Sequence, residues 1–203
     1  MSHPSPPAGV PTGRSGNGSS NSRSILDDTG IRRALTRIAH EILERNAEPE
    51  SLYLVAIPNG GVPLARLLAQ NLREIGGIDV AVGVLDTTLY RDDLTTTGRR
   101  PPLRRTEMPS AVDDRVVVLV DDVVKTGRTI RAAMDALMDF GRPRVVQVVG
   151  LVDRGHRELP IKLDYVGKNV PTRPGEIVRL RGKDGSLEPP LEVVVTHDSG
   201  GST

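Results

Sequence analysis

The stretch Val116-Val117-Val118-Leu119-Val120-Asp121-Asp122-Val123-Val124-Lys125-Thr126-Gly127-Arg128-Thr129 decides the reading of this chain. An apolar, largely β-branched run meets two adjacent carboxylates and then a Thr-Gly-Arg-Thr loop. A strand buried on both faces reads as such a run, and in open α/β sheets ligands bind beyond the carboxyl ends of the strands. The run therefore aims Asp121 and Asp122 at a ligand. The loop opens into Ile130-Arg131-Ala132-Ala133-Met134-Asp135-Ala136-Leu137, which is spaced as a helix. Glycine lets a backbone approach closely, and the free N–H groups of a helix start favour an anion. Acids for vicinal hydroxyls beside a phosphate cradle describe a ribose 5-phosphate site. Two other readings stand beside it. Paired acids after an apolar run also hold a metal in receiver-type domains, but there the pair sits near the N-terminus and no Thr-Gly-x-Thr loop follows. A strand-turn-helix without a ligand is the second, but converging carboxylates are costly to bury unless something offsets their charge.

Composition narrows the classes. At 203 residues the chain suits one domain of moderate size with a tail, and its strand-like and helical patterns alternate as in an α/β fold. It has no Cys, which excludes disulfides, thiolate zinc sites and a thiol nucleophile, and suits a reducing cytoplasm. No stretch approaches the roughly 20 apolar residues that span a bilayer, and the N-terminus lacks the apolar core of a signal peptide. A net charge of +1 gives no global nucleic-acid signal, and 2% aromatics argue against base-stacking platforms.

Residues 1–24 are rich in Pro, Gly, Ser and Asn and read as a disordered tail or leader, with residues 25–196 as the domain and 197–203 as a flexible C-terminal tail. A helix is predicted over about Asp28–Asn46, with Asp28 or Thr29 as N-cap and Ile31, Leu35, Ile38 and Ile42 on its inner stripe. Strands are expected at Leu52–Ile57, Asp79–Leu85 and Arg144–Val152, with a helix from Pro63, near its N1 position, to about Ile75. Short apolar pieces at Ile177-Val178 and Leu191–Val195 punctuate a polar C-terminal region.

Other stretches carry chemistry. The turn Pro58-Asn59-Gly60-Gly61 follows a strand and exposes N–H groups that a pyrophosphate could use, although such turns are common. The segment from Asp86 to Asp114, with Leu89-Tyr90-Arg91-Asp92-Asp93-Leu94 and Arg104-Arg105, is long enough to be a functional flap or an ordinary solvated loop. His156 could be a general base or a solvent-facing loop residue. On the first helix Arg33, Thr36, Arg37 and His40 share the face opposite the apolar stripe, either an ordinary solvated face or a basic, hydrogen-bonding surface that Glu41 and Glu44 blunt.

The opening run resembles the thirteen-residue signature of type I phosphoribosyltransferases. Further blocks tighten the resemblance: Ile31-Arg32-Arg33-Ala34-Leu35-Thr36-Arg37-Ile38-Ala39-His40-Glu41, the Leu89–Leu94 block, Val152-Asp153-Arg154-Gly155-His156-Arg157-Glu158-Leu159-Pro160-Ile161 and Asp164-Tyr165-Val166-Gly167-Lys168-Asn169-Val170-Pro171-Thr172 look like bacterial pyrimidine operon regulators of the PyrR type. The resemblance covers about Ile25 to Val195. It implies the type I fold, a central parallel sheet flanked by helices, with a flexible flap at about 86–114 and a small C-terminal hood at about 153–180. It implies a homodimer or larger homo-oligomer, cytoplasmic and off the membrane. It further implies two activities: binding of pyr operon leader mRNA when UMP or UTP is bound, and conversion of uracil and phosphoribosyl pyrophosphate (PRPP) to UMP and pyrophosphate. The alternatives are a dedicated uracil salvage enzyme that binds no RNA and a purine-type phosphoribosyltransferase.

Carried onto this chain, the resemblance gives Asp121, Asp122 and Arg91 catalytic roles, with the two acids on the ribose hydroxyls. Lys125, Thr126, Gly127, Arg128 and Thr129 would cradle the 5-phosphate, within a signature whose Val117, Val118, Leu119, Val120, Val123 and Val124 complete the implied ligand-binding block. Asn59 and Gly60 would border the pyrophosphate, met by Arg91, Arg104 or Arg105. Asp153, Arg154, Gly155 and Val178 would face uracil. Mg²⁺ would ride on PRPP, with Asp121 and Asp122 as the only candidate protein contacts. RNA would lie on Arg33, Thr36, Arg37 and His40, with His156, Arg157, Lys162 and Lys168. In one respect the chain departs from the family: its relatives carry an arginine in the pyrophosphate loop where this chain has Gly60. The missing cation implies slow transferase chemistry, with regulation as the main role.

Overall fold

In the computed structural model, which describes residues 22–92, 105–182 and 184–197, the elements run in the order β1 (Arg23–Leu26), α1 (Asp28–Arg45), β2 (Leu52–Ala56), α2 (Gly61–Gly76), β3 (Ala81–Val84), β4 (Val116–Val124), α3 (Arg128–Met138), β5 (Val145–Asp153), β6 (Tyr165–Asn169), β7 (Glu176–Gly182) and β8 (Leu191–His197). Short 3-10 turns occupy Pro49–Ser51 and Thr88–Tyr90. The five-stranded sheet has the order β3-β2-β4-β5-β6 and is parallel throughout.

Side chains alternate across a strand, so β4 feeds two layers at once. Val116, Val118 and Val120 pack with Leu54, Ile31, Leu35, Ile38 and Leu68 on the side of α1 and α2. Val117 and Leu119 pack with Tyr53, Val55, Ile130 and Leu137 on the side of α3. Ile31, Leu35, Ile38 and Ile42 are fully buried, as their spacing requires, and each such side chain contributes about 1.5–3 kcal/mol.

Local boundaries correct several expectations. Asp27, not Asp28 or Thr29, caps α1, its carboxylate accepting from Gly30 N–H at 2.7 Å. Asp28 instead accepts from Leu191 N–H at 2.9 Å and pairs with Arg32, tying the helix start to β8. Helix α2 begins at Gly61, which puts Pro63 third rather than first; no intrahelical N–H partner is needed there either. Gly77 ends α2 in the left-handed conformation at φ 68°. Tyr165–Asn169 is a fifth parallel strand that the sequence pattern does not announce, because only its start is apolar and buried. The expected strand over Asp79–Leu85 shortens to β3, and the long connection after it holds a turn at Thr88–Tyr90 and a bridge from Val84 to Glu107.

A second, antiparallel sheet of order β1-β8-β7 stands over the carboxyl edge. This hood is not a stretch of 153–180. It joins Arg23–Leu26 to Glu176–Gly182 and Leu191–His197, taking Arg23 and Ser24 from the expected N-terminal tail and His197 from the expected C-terminal one. Most of 1–24, much of the flap, and residues 198–203 lie outside the described residues.

Candidate active site

Strand β4 does not stop at its apolar part. It stays paired with β5 through Val123 and Val124, so Asp121 and Asp122 sit in the strand at the ligand edge of the sheet. Asp121 is 5% exposed, and its carboxylate accepts from Asp122 N–H at 3.0 Å. Burial, and then the neighbouring Asp122, push the Asp121 carboxyl well above the ordinary carboxylate range, while the charge of Arg91 pulls the other way. Burial also raises Asp122. The pair is costly as two bare anions. A ligand that donates hydroxyls to it, or brings positive charge, relieves that cost.

Gly127 precedes α3 in the left-handed region at φ 90°, which few side chains adopt. The loop it belongs to is braced from outside. Thr126 O accepts from Glu158 N–H at 3.0 Å, and Arg157 donates to Lys125 O at 2.8 Å and Ile161 O at 2.9 Å while pairing with Asp153 at 2.8 Å. Across the cleft, Asn59 turns the chain at φ 78° and Gly60 opens α2. Gly60 lies against Asp122 so closely that a Cβ there would fall inside the carboxyl group.

These elements enclose a cleft of about 690 Å³ lined by Ile57, Pro58, Asn59, Asp86, Thr87, Thr88, Arg91, Asp121, Asp122, Val123, Lys125, Thr129, Arg154, Val178, Arg179 and Leu180. It gathers much of the expected set, but not all. Val117, Val118, Leu119, Val120 and Val124 are core residues, because a central strand covered on both faces spends its side chains on packing. The Arg128 side chain turns from the cleft to Asp92 at 2.7 Å and Glu158 at 2.8 Å. Thr126 and Gly127 do not line the cleft. Asp153 holds Arg157 and the Gly155 N–H, and Gly155 itself is exposed. Arg105 lines a neighbouring groove of about 610 Å³ with Arg66, on the far side of Pro58 and Asn59. Arg104 lies outside the described residues.

Sequence reasoning missed Ile57, Asp86, Thr87, Thr88, Arg179 and Leu180. Ile57 and Asp86–Thr88 were findable, since each follows the carboxyl end of a parallel strand. Arg179 and Leu180 were not, because they reach the cleft only through the hood sheet. Arg154 is 9% exposed, donating to Thr172 Oγ1 at 3.0 Å and Glu176 O at 2.6 Å; burial lowers its pKa.

On α1, Arg33, Thr36, Arg37 and His40 are exposed together and line a shallow depression with Glu41 and Glu44. Arg37 also donates to Val166 O at 2.8 Å and Gly167 O at 3.0 Å, which ties this face to β6. Lys162 and Lys168 are exposed, Lys168 donating to Ile25 O at 3.0 Å. His156 is exposed with Nε2 2.9 Å from Thr172 O, whereas Arg157 is half-buried in the brace described above. Among the described residues no three His, Cys, Asp or Glu side chains gather to cage a metal ion, and no helix is long and apolar enough to cross a membrane.

The phosphoribosyl transferase domain model matches residues 21–181. The chain is 60% identical over 157 residues to the bifunctional protein PyrR of Pelotomaculum thermopropionicum, an alignment covering 77% of this chain and 87% of that one. It is 56% identical over 158 residues to the bifunctional protein PyrR of Deinococcus radiodurans (78% and 86%), and 54% over 180 residues to that of Roseiflexus sp. (88% and 98%). Among solved structures, hypoxanthine phosphoribosyltransferase from Trypanosoma cruzi superposes with a TM-score of 0.66 at 21% identity, covering 87% of this chain and 96% of that one. A hypoxanthine-guanine phosphoribosyltransferase from Bacillus anthracis gives 0.64 at 18% identity (86% and 97%). These last two likenesses concern the fold.

Proposed function

The chain belongs to the phosphoribosyltransferase family, among its bifunctional PyrR proteins, and on that premise we propose that one ribose-phosphate cleft serves both nucleotide sensing and transfer. The protein is a pyr operon regulator with uracil phosphoribosyltransferase activity. The observation that carries the shared-cleft reading is the adjacent acid pair, buried Asp121 and half-buried Asp122, facing a single cleft between the phosphate loop and the hood.

In this reading Asp121 and Asp122 accept the ribose hydroxyls, which replaces their mutual repulsion with hydrogen bonds. The backbone of Thr126–Thr129 and the Lys125 ammonium hold the 5-phosphate at the start of α3. Arg91 faces the diphosphate, and Val178 and Arg154 border the base. Uracil N1 bonds to the ribosyl carbon as the bond from that carbon to the diphosphate oxygen breaks; the electron pair leaves with pyrophosphate, and the N1 proton passes to solvent. The protein's part is positioning and charge stabilisation, with no side chain as nucleophile.

The family generally uses PRPP with Mg²⁺. The donor set fits an ion carried by the substrate, since Asp121 and Asp122 offer two carboxylates and Mg²⁺ keeps waters and phosphate oxygens around it. When bound, it would neutralise charge on the departing diphosphate.

For the RNA we propose the exposed face of α1, through Arg33, Thr36, Arg37 and His40, with Lys162, Lys168 and His156 beside it. Arg157 serves the phosphate loop rather than RNA. We further propose slow transfer, because Gly60 brings no cation to the pyrophosphate loop, assembly as a homo-oligomer, and work in the cytoplasm, where messages and PRPP meet. UMP binding by calorimetry, set beside turnover of uracil with PRPP, tests the shared cleft. Asp122→Asn should weaken both. An Asp122→Asn protein that loses turnover but binds UMP like wild type would separate the two functions.

A further inference from the structure

Arg91 lines the cleft and follows the 3-10 turn Thr88–Tyr90 in extended backbone, at φ −85° and ψ 122°. The residues on either side of it are held by α3. Arg131 Nη2 donates to Tyr90 O at 2.9 Å, and its other terminal nitrogen pairs with Asp135 at 2.9 Å. The Tyr90 hydroxyl donates to the Asp139 carboxylate. Asp92 accepts from Arg128 at 2.7 Å, with Arg131 at 4.0 Å.

Arg128 and Arg131 lie one turn apart at the start of α3, and the phosphate loop runs directly into that turn. The element that ends the 5-phosphate cradle therefore also grips the chain on both sides of Arg91. Such a link fixes the span from the cradle to the guanidinium. Span matters for a ligand with phosphates at both ends of its ribose and not for one with a single phosphate. Gly60 brings no charge to this cleft, and Arg91 lines it together with Lys125.

We infer that Arg131 and Asp92, with Arg128, are positioning residues that set Arg91 for the diphosphate of PRPP while leaving the UMP subsite untouched. The inference rests on the shared-cleft reading above. None of these side chains needs to touch the ligand: Arg131 and Asp92 do not line the cleft, and Arg128 is occupied by Asp92 and Glu158. A purely structural staple would also hold the segment to α3, but it would not distinguish between ligands.

The test compares Arg131→Met, Arg131→Lys and Asp92→Asn with wild type in the full chain. Four quantities are measured: KM for PRPP, inhibition by pyrophosphate, Kd for UMP by calorimetry, and the melting temperature. For Arg131→Met and Asp92→Asn the KM for PRPP should rise by about tenfold, the size expected when a charge-assisted hydrogen bond stops holding its group. Pyrophosphate inhibition should weaken in parallel, Kd for UMP should stay within about twofold, and Arg131→Lys should recover part of the loss. If Arg131→Met does not fold, Asp92→Asn carries the same comparison. Equal losses for UMP and PRPP, or no loss for either, would overturn the inference while the shared cleft stands. A wild-type protein that binds UMP but not PRPP would overturn the shared cleft and the inference with it.

Discussion

Gly60 gives the sharpest test of how the cleft is built. The direct remedy for a pyrophosphate loop without a cation is Gly60→Arg. The backbone permits it, since Gly60 has φ −65° and ψ −25°, an ordinary helical conformation. Space does not. A Cβ would meet Asp122 Oδ2, Cγ and Cβ all at once, so Asp122 must swing away before any longer side chain is accommodated. Forcing atoms into a packed site costs about 1–3 kcal/mol. In a chain of this size that is a fall in melting temperature of about 2–4 °C per kcal/mol. The larger cost is functional, because the displaced carboxylate is one of the two proposed above to hold the ribose. Losing one charge-assisted hydrogen bond of about 1.5–3 kcal/mol weakens UMP by roughly tenfold to a hundredfold. Gly60→Ala isolates the steric part and should weaken UMP nearly as much as Gly60→Arg. Calorimetry with UMP and steady-state turnover with uracil and PRPP measure both. If Gly60→Arg raised kcat/KM with UMP affinity unchanged, the argument from the Gly60–Asp122 contact would be refuted.

Other perturbations follow from the same geometry. Asp121 has its folded pKa raised by burial and by Asp122, so its contribution to stability is fully present below the unfolded value, about 3.9, and is lost as pH rises through the folded value. Asp121→Asn should therefore gain stability relative to unliganded wild type as pH rises from about 4 to about 8 in urea melts, while transferase activity is lost; a constant difference across that range would contradict the assignment. Arg157→Met removes the brace on Lys125 O and Ile161 O and should cost about 2 kcal/mol of stability, weakening ligands that carry a 5-phosphate more than it weakens free uracil. Arg33 makes no ion pair among the described residues, so Arg33→Ala should lower RNA affinity and reduce the salt slope by about 0.7–1 with the melting temperature held; Arg37→Ala should also lower the melting temperature, since Arg37 ties α1 to β6.

The core of the fold was legible because the chain writes it in long apolar runs. β2 is apolar throughout, β4 is apolar up to Asp121, β5 is apolar apart from Gln147 and its closing Asp153, and α1 keeps an isoleucine-leucine stripe at helical spacing. Edges were harder. Lys168 and Asn169 of β6 are exposed and polar, so the strand exists through pairing with β5 rather than through its own pattern. The hood was misplaced because its sheet pairs Arg23–Leu26 with Val193–Val195, residues almost the whole chain apart, and long-range antiparallel pairing leaves no local mark. At the site, Asp121 and Asp122 announced themselves as acids ending a buried run. The division of labour did not: nothing local says that Arg157 braces the loop at Lys125, or that Arg128 turns to Asp92 and Glu158. Those roles depend on which segments the sheet brings side by side.

One titration bears on the central claim that a single cleft joins nucleotide sensing to RNA binding. Affinity for pyr operon leader RNA is measured with and without saturating UMP, for wild type and for Asp122→Asn. The account predicts that UMP strengthens RNA binding by wild type, and that Asp122→Asn keeps the basal affinity of the α1 face while losing the response. RNA binding indifferent to UMP in wild type, or an Asp122→Asn protein that responds at the same UMP concentration, would contradict it.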